Sequence, residues 1–274
     1  MHDLPFGQGQ GQLLWLFSGT GEGPRLAQAW LRLGWRLEVF VVSAAAARAY
    51  APGEGLALRV GSVGDRRALQ LRLECARHQG RAPLWIVDAT HPFAIRISTD
   101  LSAICAALDQ PLLRLTRADL PALDPGGSCV IPDWQALDAR VPQGARVLLA
   151  IGARQLALVR AALPGRVLHA RLLPTAESLA MARAAGLPDD QLAPLHPAAD
   201  DQELLEALCR RWRITTVVAR ASGGSTEQRW RLLAGKLGLQ LVLLQRPTLG
   251  LPGAELCLAS ALERLSRGAD APAR

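Results

Sequence analysis

The sequence predicts an α/β protein of two Rossmann-like lobes, each a doubly wound parallel sheet with helices on both faces. Short apolar runs alternate with segments of helical periodicity, and the links between them are short and often contain glycine. This alternation is typical of parallel sheets, whose strands are buried on both faces and are therefore apolar throughout. A turn-rich segment at residues 116–125 divides the 274-residue chain, whose length is near the size at which one core becomes two.

The first lobe is predicted at residues 13–120. It begins with the apolar run LLWLF, which is too short for a helix and is followed at once by a glycine-rich turn. Pro92 suits the first position of its helix, where Thr90 or His91 would be the capping residue. Further helices and strands are expected at residues 24–34, 66–78 and 92–108 (helices) and at residues 36–43, 56–60, 84–88 and 111–115 (strands).

The second lobe is predicted at residues 126–267 from the same alternation. The last segment, residues 253–265, is expected to be a closing helix. Because ligands of such sheets bind at the carboxyl ends of the strands, we expect a ligand cleft between the two lobes. Strands are expected at residues 128–131, 146–151, 166–173, 214–220 and 239–246, and helices at residues 133–141, 153–163, 176–185, 200–211 and 226–237.

The charge balance narrows the possible ligands. The formal net charge is +7 at pH 7, and Lys236 is the only lysine, so arginine supplies nearly all of the positive charge. Two explanations are open: a base-composition bias of the genome, or a need to bind carboxylates and phosphates, which guanidinium groups hold in pairs. No basic run is interleaved with aromatic residues, which argues against nucleic-acid binding.

Cysteine content and hydropathy point to a reducing compartment. The five cysteines are scattered without a C-x-x-C pair, which argues against a disulfide framework and a structural zinc site. The histidines also lack metal-ligand spacing, so no metal is expected. The sequence shows neither a signal peptide nor an apolar stretch of ~18 residues. We therefore expect a cytoplasmic protein without membrane contact, as a monomer or weak homo-oligomer.

The turn after the first strand, SGTGEG, is the most informative local motif. Glycines between a strand and a helix let backbone N–H groups approach a phosphate, and the helix dipole favours negative charge there. The spacing of Gly19, Gly21 and Gly23 does not match G-x-G-x-x-G, so a tight turn without a ligand stays an equal alternative.

The end of the second strand bears on the choice of nicotinamide cofactor. An acidic residue there would bind a ribose 2′-hydroxyl, whereas basic or hydroxyl groups suit a 2′-phosphate. Residues 41–48 contain no acid but include Ser43 and Arg48. NADPH is therefore favoured, although Arg48 is as easily explained as a solvated helix residue.

Polar residues cluster after the strand at residues 84–88, in the segment DATHPFAIRIS. The end of a parallel strand lies at the mouth of the ligand site, so Thr90 and His91 are candidates for contact with a ligand. A lone histidine is more often structural than catalytic. Arg96, about one helical turn beyond Pro92, could reach an anion.

A second glycine turn, Ser222-Gly223-Gly224, follows a strand of the second lobe and offers a second anion-binding turn. Arg246 lies at the end of the next strand, and Gly152 closes another. The serines lack the G-x-S-x-G setting of a hydrolase nucleophile, so no nucleophile–base pair competes with ligand binding at these turns.

Together these motifs resemble the precorrin-6A reductases and the closely similar cobalt-precorrin-6A reductases. The resemblance covers roughly residues 13–247 and depends on a specific order of segments. The segments are SGTGEG, VDATHPFAIRIS, PLLRLTR, VLLAIGARQL, ARASGGSTEQRW and LGLQLVLLQRP.

The resemblance implies hydride delivery from NADPH (or NADH) to a double bond of a corrin-ring precursor that carries several carboxylates. It implies that Gly19, Thr20, Gly21 and Glu22 line the cofactor. It also implies that Thr90, His91, Pro92 and Arg96 face the nicotinamide or the substrate, and that Ser222, Gly223, Gly224 and Arg246 complete the site. The proton donor is either His91 or water.

The chain departs from the family pattern at Ser18, at Ala221 and at residues 195–198, where the family commonly has a G-P-F-S-like segment. Two alternatives are therefore kept: a non-catalytic nucleotide-binding relative, and an NADP-dependent reductase of another small metabolite. A short-chain dehydrogenase is disfavoured because the chain contains no Y-x-x-x-K motif.

Overall fold

The computed structural model describes residues 11–117, 120–121, 128–196, 202–250 and 254–266. It contains two six-stranded sheets in which every strand pairing is parallel. The prediction of an α/β fold with two parallel sheets is thereby confirmed. The chain divides into one unit of Met1–Ala118 with Pro247–Arg274, and a second unit of Asp119–Arg246. None of the helices in the described ranges is long and apolar enough to cross a bilayer.

The sheet of the first unit has the strand order β12-β5-β4-β1-β2-β3. The order reverses between β1 and β4, and the carboxyl ends of these two neighbours form the topological switch point where such sheets bind ligands. Its strands are β1 (Leu13–Ser18), β2 (Arg36–Val41), β3 (Leu56–Val60), β4 (Trp85–Ala89), β5 (Leu112–Leu115) and β12 (Ala254–Leu256). Its helices are α1 (Glu22–Arg32), α2 (Ala44–Ala47), α3 (Arg66–His78), α4 (Ile95–Ala107) and α9 (Leu258–Ser266).

Strand β1 lies at the centre of this sheet because it is apolar on both faces. Leu14 and Leu16 pack into the cluster that includes Trp30 of α1, whereas Trp15 and Phe17 pack into a second cluster under α3 and α4. The Phe17 ring stacks on Phe40 of the neighbouring strand at a centroid distance of 4.5 Å. A strand buried on both sides fixes the position of the turn that follows it.

The C-terminal segment departs from the predicted boundaries. Instead of extending the second lobe to residue 267 as one closing helix, it returns to the first unit as β12 and α9. Strand β12 pairs with β5, so the backbone groups along that edge of β5 have hydrogen-bond partners. The indole N–H of Trp35 donates to the Leu265 carbonyl at 3.1 Å and anchors α9 to this unit.

The sheet of the second unit has the order β6-β11-β10-β7-β8-β9, with its reversal between β7 and β10. The two sheets share a strand order: β5-β4-β1-β2-β3 in the first corresponds to β11-β10-β7-β8-β9 in the second. One further strand, β12 or β6, completes each sheet at the edge next to β5 or β11. The strands are β6 (Cys129–Ile131), β7 (Arg146–Leu149), β8 (Val167–Leu172), β9 (Leu192–Pro194), β10 (Thr216–Arg220) and β11 (Gln240–Leu244). The helices are α5 (Leu156–Ala162), α6 (Ala176–Ala184), α7 (Gln202–Arg211) and α8 (Ser225–Leu237).

Two further predictions in this unit are corrected. The helix predicted at residues 133–141 is only a short 3-10 helix, Trp134–Leu137. Pro142 disfavours helical backbone at Val141, the last residue of the predicted helix. Strand β9 lies between the helices predicted at residues 176–185 and 200–211, where no strand is predicted. Three residues with one proline give no periodic signal, and pairing with β8 fixes their conformation.

Candidate active site

The turn between β1 and α1 presents backbone donors without side chains in the way. Gly19 and Gly21 are exposed, and a Cβ added at Gly21 would meet no atom within 4 Å. Gly21 is the N-cap residue of α1. Glycine has no side chain, so the N-cap residue itself does not cover the first N–H groups of the helix. An anion can therefore approach this helix end.

Gly23 serves a different purpose, which is close packing of α1 on β1. A Cβ at this position would lie 1.9 Å from Ser18 Oγ and 2.3 Å from the Tyr50 hydroxyl oxygen. Both side chains are buried, and burial raises the pKa of Tyr50. A glycine that permits close approach of helix and strand is also a feature of dinucleotide-binding turns, even though the glycine spacing here differs.

Glu22 carries a negative charge at the first residue of α1, and the structure compensates that charge. Arg117 contacts the Glu22 carboxylate with 2.7 Å between Nη2 and Oε2. Burial would raise the pKa of Glu22, but the Thr20 hydroxyl and the positive charge of Arg117 outweigh it and lower the pKa. The ion pair leaves the helix end without an uncompensated negative charge that would repel a phosphate.

Asp88 organises the loop after β4. Its carboxylate, only 3% exposed, accepts hydrogen bonds from the Thr90 N–H at 3.1 Å and from the Thr90 hydroxyl at 2.6 Å. Arg114, the register partner of Asp88 on β5, places its Nε 3.8 Å from the other carboxylate oxygen. The Ser98 hydroxyl lies 3.4 Å from the Thr90 hydroxyl.

The helix after this loop begins later than predicted. Residue Ile95 is its first residue, and the N-cap is Ala94 without a side-chain cap, so Pro92 is not at the first position and neither Thr90 nor His91 caps it. Thr90 is instead held by Asp88, and His91 Nδ1 accepts a hydrogen bond from the Phe93 N–H at 3.2 Å. These local bonds compete with helix formation over residues 90–94. Arg96 is exposed on the first turn of α4.

The two loops of the first unit meet at the switch point. A Cβ added at Gly19 would lie 3.6 Å from His91 N and 3.9 Å from Thr90 Cα. The Thr20 hydroxyl oxygen lies 3.4 Å from the Ala89 carbonyl oxygen. Four residues predicted from separate motifs, Gly19, Thr20, Thr90 and His91, are thus brought together by the fold.

Ser43 and Arg48 lie beyond β2, on the other side of β1 from the Thr90 loop. The Ser43 hydroxyl caps α2 by accepting from the Ala46 N–H at 3.2 Å, and the Arg48 side chain is exposed at the end of the same helix. Their predicted role in binding a 2′-phosphate stays a prediction.

In the second unit, the predicted glycine turn is held by a buried carboxylate. Glu227, which is 2% exposed, accepts a hydrogen bond from the Gly223 N–H at 2.7 Å and pairs with Arg231 at 2.6 Å. The Gly223 amide is therefore engaged within the protein and is not a donor for a phosphate in this conformation. This observation weakens the expectation of a second anion-binding turn. Gly224 is the N-cap residue of α8.

Arginines flank the end of β10 in the same unit. Arg246 Nε lies 3.4 Å from the Ala221 carbonyl, which it approaches as a donor, and Ser222 is buried. Arg220 Nη2 lies 3.8 Å from the Cβ position of Gly152, whose φ of +83° disfavours any other residue. Burial lowers the pKa of Arg220.

The sequence motifs do not single out four charged residues that hold these turns and loops: Asp88, Arg114 and Arg117 in the first unit, and Glu227 in the second. The sequence does contain a signal for Arg114 and Arg117, because the segment PLLRLTR places polar residues at the end of an otherwise apolar strand. Of the departure at residues 195–198, Leu195 and His196 are in the structure, whereas residues 197 and 198 lie outside the described part of the chain. Within that part, no group of three His, Cys, Asp or Glu side chains could hold a metal ion.

Comparison with known proteins identifies the family. The family model described as "Precorrin-6x reductase CbiJ/CobK" matches residues 13–266. This chain belongs to that family. It is 33% identical over 240 residues to the cobalt-precorrin-6A reductase of Synechocystis sp., covering 85% of this chain and 88% of the relative. It is 32% identical over 251 residues to the precorrin-6A reductase of Rhodobacter capsulatus, covering 89% and 91%.

This chain also shares its fold with a solved structure of the family. A solved structure named "CobK precorrin-6A reductase" superimposes with a TM-score of 0.74 at 28% sequence identity and covers 93% of this chain and 96% of that one. The resemblance found in the sequence is thereby confirmed, and the chain is a reductase of the CbiJ/CobK family.

Proposed function

We propose that this protein reduces a double bond of precorrin-6A, or of its cobalt form, with NADPH as the hydride donor. Membership of the precorrin-6x reductase family supports the reaction, and relatives named for each form of the substrate match at nearly equal identity. The observation that carries the assignment of the site is the meeting of the Gly19 turn and the Thr90 loop at the switch point.

The residues of the first unit fit a dinucleotide. The end of α1 is free of a side-chain cap, Gly21 has open space around it, and the charge of Glu22 is balanced by Arg117. We assign the pyrophosphate to Gly19, Thr20 and Gly21 at this helix end. When bound, the cofactor supplies a hydride from its nicotinamide ring, and the protein's part is to hold the ring against the reducible carbon.

The preference for NADPH is supported by the charge at the end of β2. Residues 41–48 contain no carboxylate that would favour a ribose 2′-hydroxyl, and the Arg48 guanidinium is exposed there. While it caps α2, Ser43 keeps one lone pair and its hydroxyl hydrogen for a ligand.

The substrate, a ring with several carboxylates, suits a site with many arginines. We assign carboxylate binding to Arg96 and Arg246, with Pro92 in contact with the ring. In the second unit, we assign ligand binding to Ser222 and Gly224, and Gly223 supports the turn through its bond to Glu227.

We assign to His91 the supply of the proton that balances hydride transfer. A hydride adds two electrons and one hydrogen to one carbon of the double bond, and the other carbon takes up a proton. His91 would donate this proton in its imidazolium form and be left as the neutral ring. Water stays an alternative donor.

The test is a reductase assay with metal-free and cobalt-loaded substrate, each with NADPH and NADH. We expect loss of nicotinamide absorbance only when precorrin-6A or its cobalt form is present, and faster loss with NADPH. Binding of NADPH without turnover of either substrate would instead establish a non-catalytic relative. A His91→Ala variant with unaltered turnover at every pH would leave water as the donor.

A further inference from the structure

The hydrogen of the Thr90 hydroxyl is committed to Asp88. The distance of 2.6 Å between Thr90 Oγ1 and Asp88 Oδ1 is that of a strong hydrogen bond between a hydroxyl and a carboxylate. A carboxylate has only acceptor atoms, so the threonine must be the donor. The same carboxylate oxygen also accepts the Thr90 N–H, which fixes the residue at two points.

The surroundings keep Asp88 in place. The carboxylate is almost completely buried, next to the Arg114 guanidinium, whose positive charge compensates its own. Strands β4 and β5 hold the two residues in register. Asp88 is thus a fixed acceptor at the end of a rigid strand, and the hydroxyl of Thr90 is oriented before any ligand arrives.

A threonine hydroxyl has one hydrogen and two lone pairs. With its hydrogen used on Asp88, Thr90 Oγ1 can only accept further hydrogen bonds. The Ser98 hydroxyl, 3.4 Å away, can therefore only donate to this oxygen, which leaves one lone pair for a ligand. A ligand group that meets this oxygen must therefore be a donor, such as an N–H or an O–H. An acceptor-only group would face a lone pair and would be disfavoured.

We propose that Asp88 is a positioning residue that makes Thr90 an acceptor for the carboxamide N–H₂ of the nicotinamide ring. The inference rests on the proposed function, because it takes the Gly19 turn as the pyrophosphate site. The residues at the end of β2 then face the adenosine half, so the nicotinamide half extends on the β4 side of the switch point, where Thr90 lies. The contact would set the orientation of the ring.

Cofactor analogues test this assignment. The 3-acetylpyridine analogue of NADP⁺ replaces the carboxamide N–H₂ by a methyl group and keeps the carbonyl, whereas the thionicotinamide analogue keeps the N–H₂. Dissociation constants of NADP⁺ and both analogues are measured by calorimetry for the wild type and for Thr90→Val, Thr90→Ser and Asp88→Asn. Thr99→Val, the same substitution within α4, is the matched control.

We expect the wild type and the Thr99→Val control to bind NADP⁺ and the thionicotinamide analogue about threefold to tenfold more tightly than the acetylpyridine analogue, the range of one hydrogen bond. Thr90→Val should abolish this preference and Thr90→Ser should keep it. Asp88→Asn should reduce the preference, because the neutral amide is a weaker acceptor for the Thr90 hydroxyl and no longer forms an ion pair with Arg114.

Equal binding of all three ligands by the wild type would overturn the proposal. So would a Thr90→Val variant that loses affinity for all of them equally, because Thr90 would then meet a ribose hydroxyl or act only in folding. These results are separate from a failure of the proposed function, which would appear as absence of NADP⁺ binding or absence of precorrin-6A reduction in the wild type.

Discussion

Substitution of Gly23 by alanine tests the packing beneath the proposed pyrophosphate turn. Alanine is favoured over glycine inside a helix by about 1 kcal/mol. Here, however, the new methyl group would lie 1.9 Å from Ser18 Oγ and 2.8 Å from Ser18 Cβ. The hydroxyl can rotate away but the Cβ cannot, so α1 must move away from β1. Overpacking of this kind costs about 3 kcal/mol at the upper end of its usual range.

The two terms leave a net loss of about 2 kcal/mol in the free energy of unfolding, which corresponds to a fall in Tm of roughly 4–8 °C. Thermal and urea denaturation of the purified variant measure this loss, and titration with NADP⁺ should show weaker binding. Gly235→Ala is the matched control, since Gly235 also lies in a helix but an added Cβ meets nothing within 4 Å. That variant should be as stable as the wild type or more so. A Gly23→Ala protein with unchanged Tm and unchanged affinity would refute the reasoning.

Three further predictions concern other parts of the molecule. Arg48→Ala should raise the KM for NADPH by roughly threefold to tenfold and leave the KM for NADH unchanged, as measured in the reductase assay with both cofactors. Glu227→Gln should lower the free energy of unfolding by about 1–3 kcal/mol, because Arg231 keeps a hydrogen-bond acceptor but loses its charged partner; urea denaturation measures the loss, and an unchanged midpoint would contradict the ion-pair argument. His169, buried next to Arg146, has its pKa lowered from 6.5 to about 4, first by burial and then by that positive charge. Between these pH values the unfolded chain binds the extra proton, so the free energy of unfolding should fall by up to about 3 kcal/mol as the pH drops from 6.5 to 4. His169→Phe should flatten this slope, whereas a control change at the exposed His78 should not.

The sequence predicts the elements of this fold where periodicity is strong. Two elements have the predicted bounds, the strand Leu56–Val60 and the helix Arg66–His78. The strand is an apolar run between two turns, and the helix is an amphipathic pattern that follows the N-cap residue Asp65. The failures occur where tertiary contacts decide. Residues 254–256 become a strand only because β5 offers an edge, and no local pattern contains that information.

The site is predicted in part for a related reason. Glycine turns and polar strand ends mark the switch point, since the topology places them there whatever the ligand. The network behind them is not visible, because Asp88 and Arg114 are 26 positions apart in the numbering and meet only through the pairing of β4 with β5. The cleft between the two units and the binding roles assigned to individual residues stay predictions.

Direct hydride transfer from the cofactor to the macrocycle is the central claim, and isotope transfer tests it. The purified protein is incubated without oxygen with precorrin-6A and NADPH that carries deuterium at nicotinamide C4, prepared separately on each face of the ring. The account predicts that deuterium from one face only appears at a carbon of the reduced product, as seen by mass spectrometry and NMR. A reduced product that contains no deuterium from either form would contradict it.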